Sequence, residues 1–134
     1  MDKRTASLLH GSLDKSREKL RVAEQLLASG ADEDAVSRAY YSAFHAAQAA
    51  LLTEGLTATT HQGLVNLFGL HLIKTRKLPK ELGKFLSNLK DDRENSDYEL
   101  YSAIDRETAE QAVKEAQAFL IAVEAYVKPW LEGP

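Results

Sequence analysis

Apolar residues recur at steps of three and four along most of the chain, the spacing of one face of an α-helix rather than the alternation of a strand. From about Ser12 to Ser29 the stripe is Leu13, Leu20, Ala23 and Leu27, with Lys15, Glu18, Lys19 and Glu24 lying off it and Gly30 supplying a stop. A second segment opens at Asp32 or Asp34, whose carboxylates suit the positive end of a helix, and runs to Thr53 before Gly55. It is apolar nearly all round, which predicts a central helix. Ala39, Ala43, Ala46 and Ala50 would let a neighbouring backbone come close. A third segment begins at Thr59, where Thr59 and Gln62 have the spacing of a capping box, and carries Leu64, Phe68 and Leu72 to about Thr75. Gly63 and Gly69 weaken it by about 1 kcal/mol each relative to alanine, so they imply tight packing or local flexibility. Pro79 marks the next start, and Leu82, Leu86, Leu89 and Arg93 then share one stripe. Asp105 is placed to cap the last segment, whose stripe of Ala109, Ala112, Val113, Ala116, Leu120, Val123 and Val127 is the cleanest of all; Pro129 is expected to end it.

Four of these five segments run about 17–24 residues, roughly 25–36 Å as helices, lengths that suit antiparallel neighbours. The expectation is an all-α fold, an up-and-down antiparallel helical bundle of four to five helices, in one domain over residues 1–134 with its core at about 12–128. Composition points the same way, because Ala and Leu far outnumber Val and Ile, and unbranched side chains lose little rotamer freedom in a helix. At 44% hydrophobic and 28% charged the chain has ordinary globular usage, which excludes disordered and collagen-like classes. The absence of cysteine removes thiolate nucleophiles, cysteine-based zinc sites and disulfides, and fits a cytoplasmic setting. The longest apolar stretch, Ala46 to Leu52, is interrupted by Gln48 and far too short to cross a bilayer, so no membrane association is expected. Met1 to His10 lacks the apolar stretch of a secretory signal.

Charge is uneven along this balanced chain. Asp91 to Asp97 reads DDRENSD, four acids around one base, a local charge of -3 equal to the formal charge of the whole chain. Arg93 is either held there as a structural ion pair or projects from its apolar stripe into a cleft, offering a planar fork to phosphate. Between Lys74 and Lys84 five basic residues, Lys74, Arg76, Lys77, Lys80 and Lys84, stand against Glu81 alone, for a local +4. Lys77 and Lys80 can dock an RNA backbone there, or the cluster simply complements a helix end. The central helix carries one polar stripe, Arg38, Ser42, His45 and Gln48, which is either hydrogen-bonded core or, with Tyr41 and His45, turned towards Arg93. His61 stands in the first turn of the third helix, where the dipole attracts anions and lowers an imidazole pKa, the setting of a neutral acid/base group or of a plain surface histidine. Metal ligation is not expected: there is no HExxH, and His61 and His71, ten residues apart, do not align on one face. With no glycine-rich phosphate loop either, no cofactor is expected.

The run AYYSAFHAAQAALLTEGL from Ala39 to Leu56, followed by THQGLVNLFGLHLIKTRKLPKELGKFL from Thr60 to Leu86 and then by Arg93, Asp97 and Tyr98, resembles the HEPN family of small prokaryotic helical proteins. The resemblance implies a helical bundle that pairs as a homodimer, a minimal nucleotidyltransferase protein as partner in a toxin–antitoxin-like pair, and, in many members, metal-independent ribonuclease activity. It further implies a motif of an arginine followed a few residues on by a histidine, two copies of which meet in one cleft on dimerisation. Arg93 matches the arginine. Tyr98, Glu99 and Leu100 stand where the histidine would fall, so the chain resembles the branch carrying aspartate and tyrosine after the arginine. The resemblance therefore nominates Arg93, Asp97 and Tyr98 as catalytic residues, while helical phase, helix position and charge make Tyr41, His45, His61, Lys77 and Lys80 the candidate RNA- or nucleotide-binding ones. The alternative it leaves is a non-catalytic, antitoxin-like interaction module.

Overall fold

The computed structural model describes residues 1–98 and 104–132, with residues 97 and 98 described by backbone alone. Its elements are α1 (Lys3–Ala28), α2 (Asp32–Leu52), α3 (His61–Phe68) continued by a π-helical turn (Gly69–Ile73), α4 (Lys80–Tyr98) and α5 (Arg106–Glu132). The all-α expectation holds among the described residues. Helix α2 is central and packs on α1, α3, α4 and α5. Twelve of its residues are buried, seven of them alanines that admit close neighbours.

Several boundaries differ from those read off the pattern. Helix α1 starts at Lys3 rather than near Ser12, because the Asp2 carboxylate accepts a hydrogen bond from Thr5 N–H at 2.7 Å and Leu9 joins the fully buried core. Its stripe runs Leu9, Leu13, Ser16 and Ala23, so a serine stands at a core position. The cap of α3 is Thr60, one residue later than expected, and its hydroxyl accepts from Gly63 N–H at 2.9 Å. A Cβ on Gly63 would come within 2.7 Å of that hydroxyl, which is the packing reason for this glycine. Gln62 bonds Asn66 at 3.0 Å instead of closing a capping box. Helix α5 passes through Pro129 to Glu132, since the proline sits on an exposed face within the final turns, where one lost N–H donor costs little continuity.

The polar stripe of α2 is largely structural. The hydroxyl of Ser16 donates to Ser42 C=O at 2.7 Å and that of Ser42 donates to Ser16 C=O at 2.9 Å, a reciprocal clasp between α1 and α2 with both residues fully buried. Gln48 makes a second clasp. Its amide donates to Ala58 C=O at 2.9 Å and accepts from Ala58 N–H at 3.1 Å, which fixes the segment delivering His61 to the flank of α2.

Candidate functional site: an arginine among aromatic rings

Helices α2, α3 and α4 converge on Arg93. Counted along α4, Leu82, Leu86 and Leu89 are buried and anchor the helix on the core, and Arg93 follows Leu89 by one further turn, half-buried. Its guanidinium carbon lies 5.2 Å from the Tyr41 ring centroid and 5.8 Å from that of Tyr40, within cation–π range of both. His61, from the first turn of α3, packs against the same group, with ring centroids 5.5 Å from Tyr40, 6.0 Å from Tyr41 and 5.2 Å from Phe44. The Tyr40 hydroxyl lies 2.6 Å from His61 Nδ1.

The electrostatics of this group follow from burial first. Burial pushes the Tyr40 phenol far above its usual pKa, against the opposing pull of Arg93. Burial also lowers the His61 pKa, helped by Arg93 and Lys90 and opposed by Glu94. Lys90 and Glu94 are themselves joined at 2.6 Å along α4. A neutral imidazole and a neutral phenol thus stand beside a permanently charged guanidinium. Arg93 also lines an open groove of about 550 Å³, with Val22 and Leu26 of α1 and Asp34, Ser37, Arg38 and Tyr41 of α2. One aromatic ring, two apolar side chains and two guanidinium groups, with Asp34 among them, can receive a ligand that combines a flat ring with an anion.

Not every nominated residue belongs here. Tyr41 and His61 are brought to Arg93. His45 is one turn further along α2 and lines a separate groove of about 350 Å³ with Leu8, Lys15, Phe44 and Gln48; burial, with Lys15 and Lys19, lowers its pKa. Lys77 and Lys80 are at the opposite end of α4, roughly 20 Å from Arg93 at 1.5 Å per residue, and Lys77 is ion-paired with Glu54. Asp97 and Tyr98 continue α4 after Arg93, and their side chains lie outside the described residues. Tyr40 and Phe44 join the site without having been nominated by the sequence, although a run of aromatics at 40, 41 and 44 on an alanine-rich helix was the available signal. Among the described residues no group of three or more histidine and acidic side chains is arranged to hold a metal ion, and no helix is long and apolar enough to cross a membrane.

The chain belongs to the HEPN domain family, whose model matches residues 10–126. It is 33% identical over 114 residues to a UPF0332 protein of Thermotoga maritima, covering 85% of this chain and 86% of that one. It is 31% identical over 127 residues to a Methanocaldococcus jannaschii protein named "Putative toxin MJ0142", covering 95% and 86%. Among solved structures, the TT1696 protein of Thermus thermophilus shares the fold, with a TM-score of 0.74 at 24% identity over 88% of this chain and 97% of that one.

Proposed function

We propose that this protein is the toxin half of a HEPN/nucleotidyltransferase pair, and that the groove lined by Arg93 binds an RNA phosphodiester and cleaves it without a metal. The observation that carries the reading is the half-buried Arg93 guanidinium, within cation–π range of both Tyr40 and Tyr41, close to a neutral His61 and lining an open groove together with Tyr41. The Tyr41 ring, which lines the groove, offers stacking surface for a base, and the guanidinium offers charge to the phosphate. In cleavage, the 2′ oxygen loses its proton and attacks phosphorus, the bond to the 5′ oxygen breaks with its electron pair on that oxygen, which leaves as a hydroxyl after taking up a proton, and Arg93 stabilises the added negative charge in between. Asp97 and Tyr98, which follow Arg93 on α4, are the proposed partners in moving the 2′-hydroxyl proton. The toxin role is supported by the names of two relatives in Methanocaldococcus jannaschii, each 31% identical to this chain. A cytoplasmic homodimer placing two Arg93 side chains at one opening is part of the proposal.

The test incubates purified protein with mixed RNA in EDTA beside Arg93→Ala. Fragments with 2′,3′-cyclic phosphate ends, absent from the variant reaction, are the expected result. Intact RNA with the wild type, or equal cleavage by both proteins, overturns the catalytic claim. Tyr98 at the place of the motif histidine favours a second reading, a binding module that retains RNA or a nucleotidyltransferase without cutting. Under that reading the RNA stays whole, and co-expression with a minimal nucleotidyltransferase gives a complex that survives size exclusion; separate elution of the two proteins counts against it.

A further inference from the structure

The role of His61 follows from its partner, on the understanding that Arg93 and His61 face a phosphodiester. The Tyr40 hydroxyl is 2.6 Å from His61 Nδ1, and Tyr40 is fully buried. Among the described residues that hydroxyl has no other hydrogen-bonding partner. A phenol that only accepted from an Nδ1–H would bury its own proton unpaired, at a cost of about 1–3 kcal/mol. Donation from Tyr40 to Nδ1 removes that cost. Nδ1 is then an acceptor, and the single proton of the neutral ring sits on Nε2. Nε2 has no protein partner among the described residues, and His61 is incompletely buried, so this donor is open to a ligand.

We propose that Tyr40 is a positioning residue that locks His61 in the Nε2–H form, so that the imidazole meets a phosphate oxygen beside Arg93 as an uncharged hydrogen-bond donor and takes no proton from the 2′-hydroxyl. The surroundings agree from each side. Tyr40, Tyr41 and Phe44 of α2 press rings against the imidazole, while Arg93 and Lys90 of α4 oppose a second positive charge and only Glu94 favours one. Its own helix presents the positive end of a dipole. A neutral imidazole used as an electrophile at a helix N-terminus is an established solution for polarising an oxygen.

Nitrogen NMR of the full-length protein with labelled histidine tests the assignment without any ligand. Wild type should show a protonated Nε2 and an unprotonated Nδ1 for His61, with a titration midpoint below the ordinary histidine value. Tyr40→Phe should move that midpoint upward and mix the two tautomers. A wild-type spectrum with the proton on Nδ1, or a midpoint that Tyr40→Phe leaves in place, overturns the proposal; the first of these needs no variant to fold. A short 2′-O-methyl RNA, which cannot be cleaved, tests the donor role. His61→Gln keeps an N–H donor and should retain most of the binding, whereas His61→Ala should lose about tenfold or more, the scale of a hydrogen bond to a charged group. Equal losses in the two variants sink the donor role. Failure of the wild type to retain this RNA would instead sink the phosphodiester reading, with the tautomer still decided by the spectrum.

Discussion

Arg93 and Asp92 are adjacent on α4 and, about 100° apart around the helix, meet different neighbours. Arg93 turns to the tyrosines of α2 and to His61, where cation–π contact and an open groove accommodate its charge. Asp92 turns to α5 and lines a polar cavity with Asn88, Asp91, Asp105, Glu107, Thr108, Gln111 and Glu115. Burial, with Asp91 beside it, raises the Asp92 pKa; burial raises that of Glu115 as well, despite a hydrogen bond from Asn88 at 3.4 Å. One face concentrates unlike partners around a cation and the other crowds like charges together. The lesson is that a local charge count along a helix says little about which charges meet, because the helix distributes consecutive residues around its axis.

The sharpest way to break this comparison is through RNA cleavage. Arg93→Ala should reduce the rate by about 10²–10³-fold, the usual range for removing one donor to a developing anion, while Asp92→Asn should leave it within about twofold. A comparable loss in both variants would mean the two faces act as one site.

The acidic face is better probed through stability. A carboxyl whose pKa is raised by folding binds more protons in the folded than in the unfolded state over the window just above its ordinary value. Stability therefore falls as pH rises through that window, which begins near 3.8 for Asp92 and 4.5 for Glu115. Asp92→Asn and Glu115→Gln should each raise Tm at pH 7, with the gain shrinking towards pH 4. Thermal melts across that range check it, and a gain independent of pH would point to packing rather than charge. The histidines pull the other way: His45 and His61, with lowered pKa values, lose stability as pH falls below about 6.5, where the unfolded chain begins to take up protons.

How much of this was legible in the sequence varies by element. The stripes of α2 and α5 mark the faces of those helices because their apolar periodicity is unbroken, whereas the pattern starts α1 only near Ser12 and the helix is secured from Asp2. Ser42 belongs to the polar stripe of α2 in the pattern, but its partner Ser16 does not stand out there; their hydroxyls each donate to the other's carbonyl, an arrangement visible only once two helices are side by side. At the site, the helical phase of Arg93 and the first-turn position of His61 were readable, and so was the direction of the His61 pKa. The Tyr40–His61 bond was not, since it joins positions 21 apart and depends on how Gln48 pins the segment at Ala58. The basic cluster, read as a place for an RNA backbone, lies apart from this site: Lys80 opens α4 and Lys77 precedes it, at the end of the helix away from Arg93.

The smallest effect refines the cationic face itself. Lys90 and Glu94 act on His61 with opposite signs from one helix, and they also hold each other at 2.6 Å. Lys90→Gln removes a charge that disfavours the imidazolium, so the His61 midpoint should rise; Glu94→Gln removes one that favours it, so the midpoint should fall. Both shifts should be smaller than that of Tyr40→Phe, because the two charges act on the imidazole through space, where salt screens them, whereas the phenol's hydrogen bond acts directly on the ring nitrogen. Added salt should shrink the two charge effects and leave the tyrosine effect nearly intact. If instead salt erased all three shifts alike, the imidazole would be governed by the field of α4 alone, and Tyr40 would be no more than a ring packed beneath it.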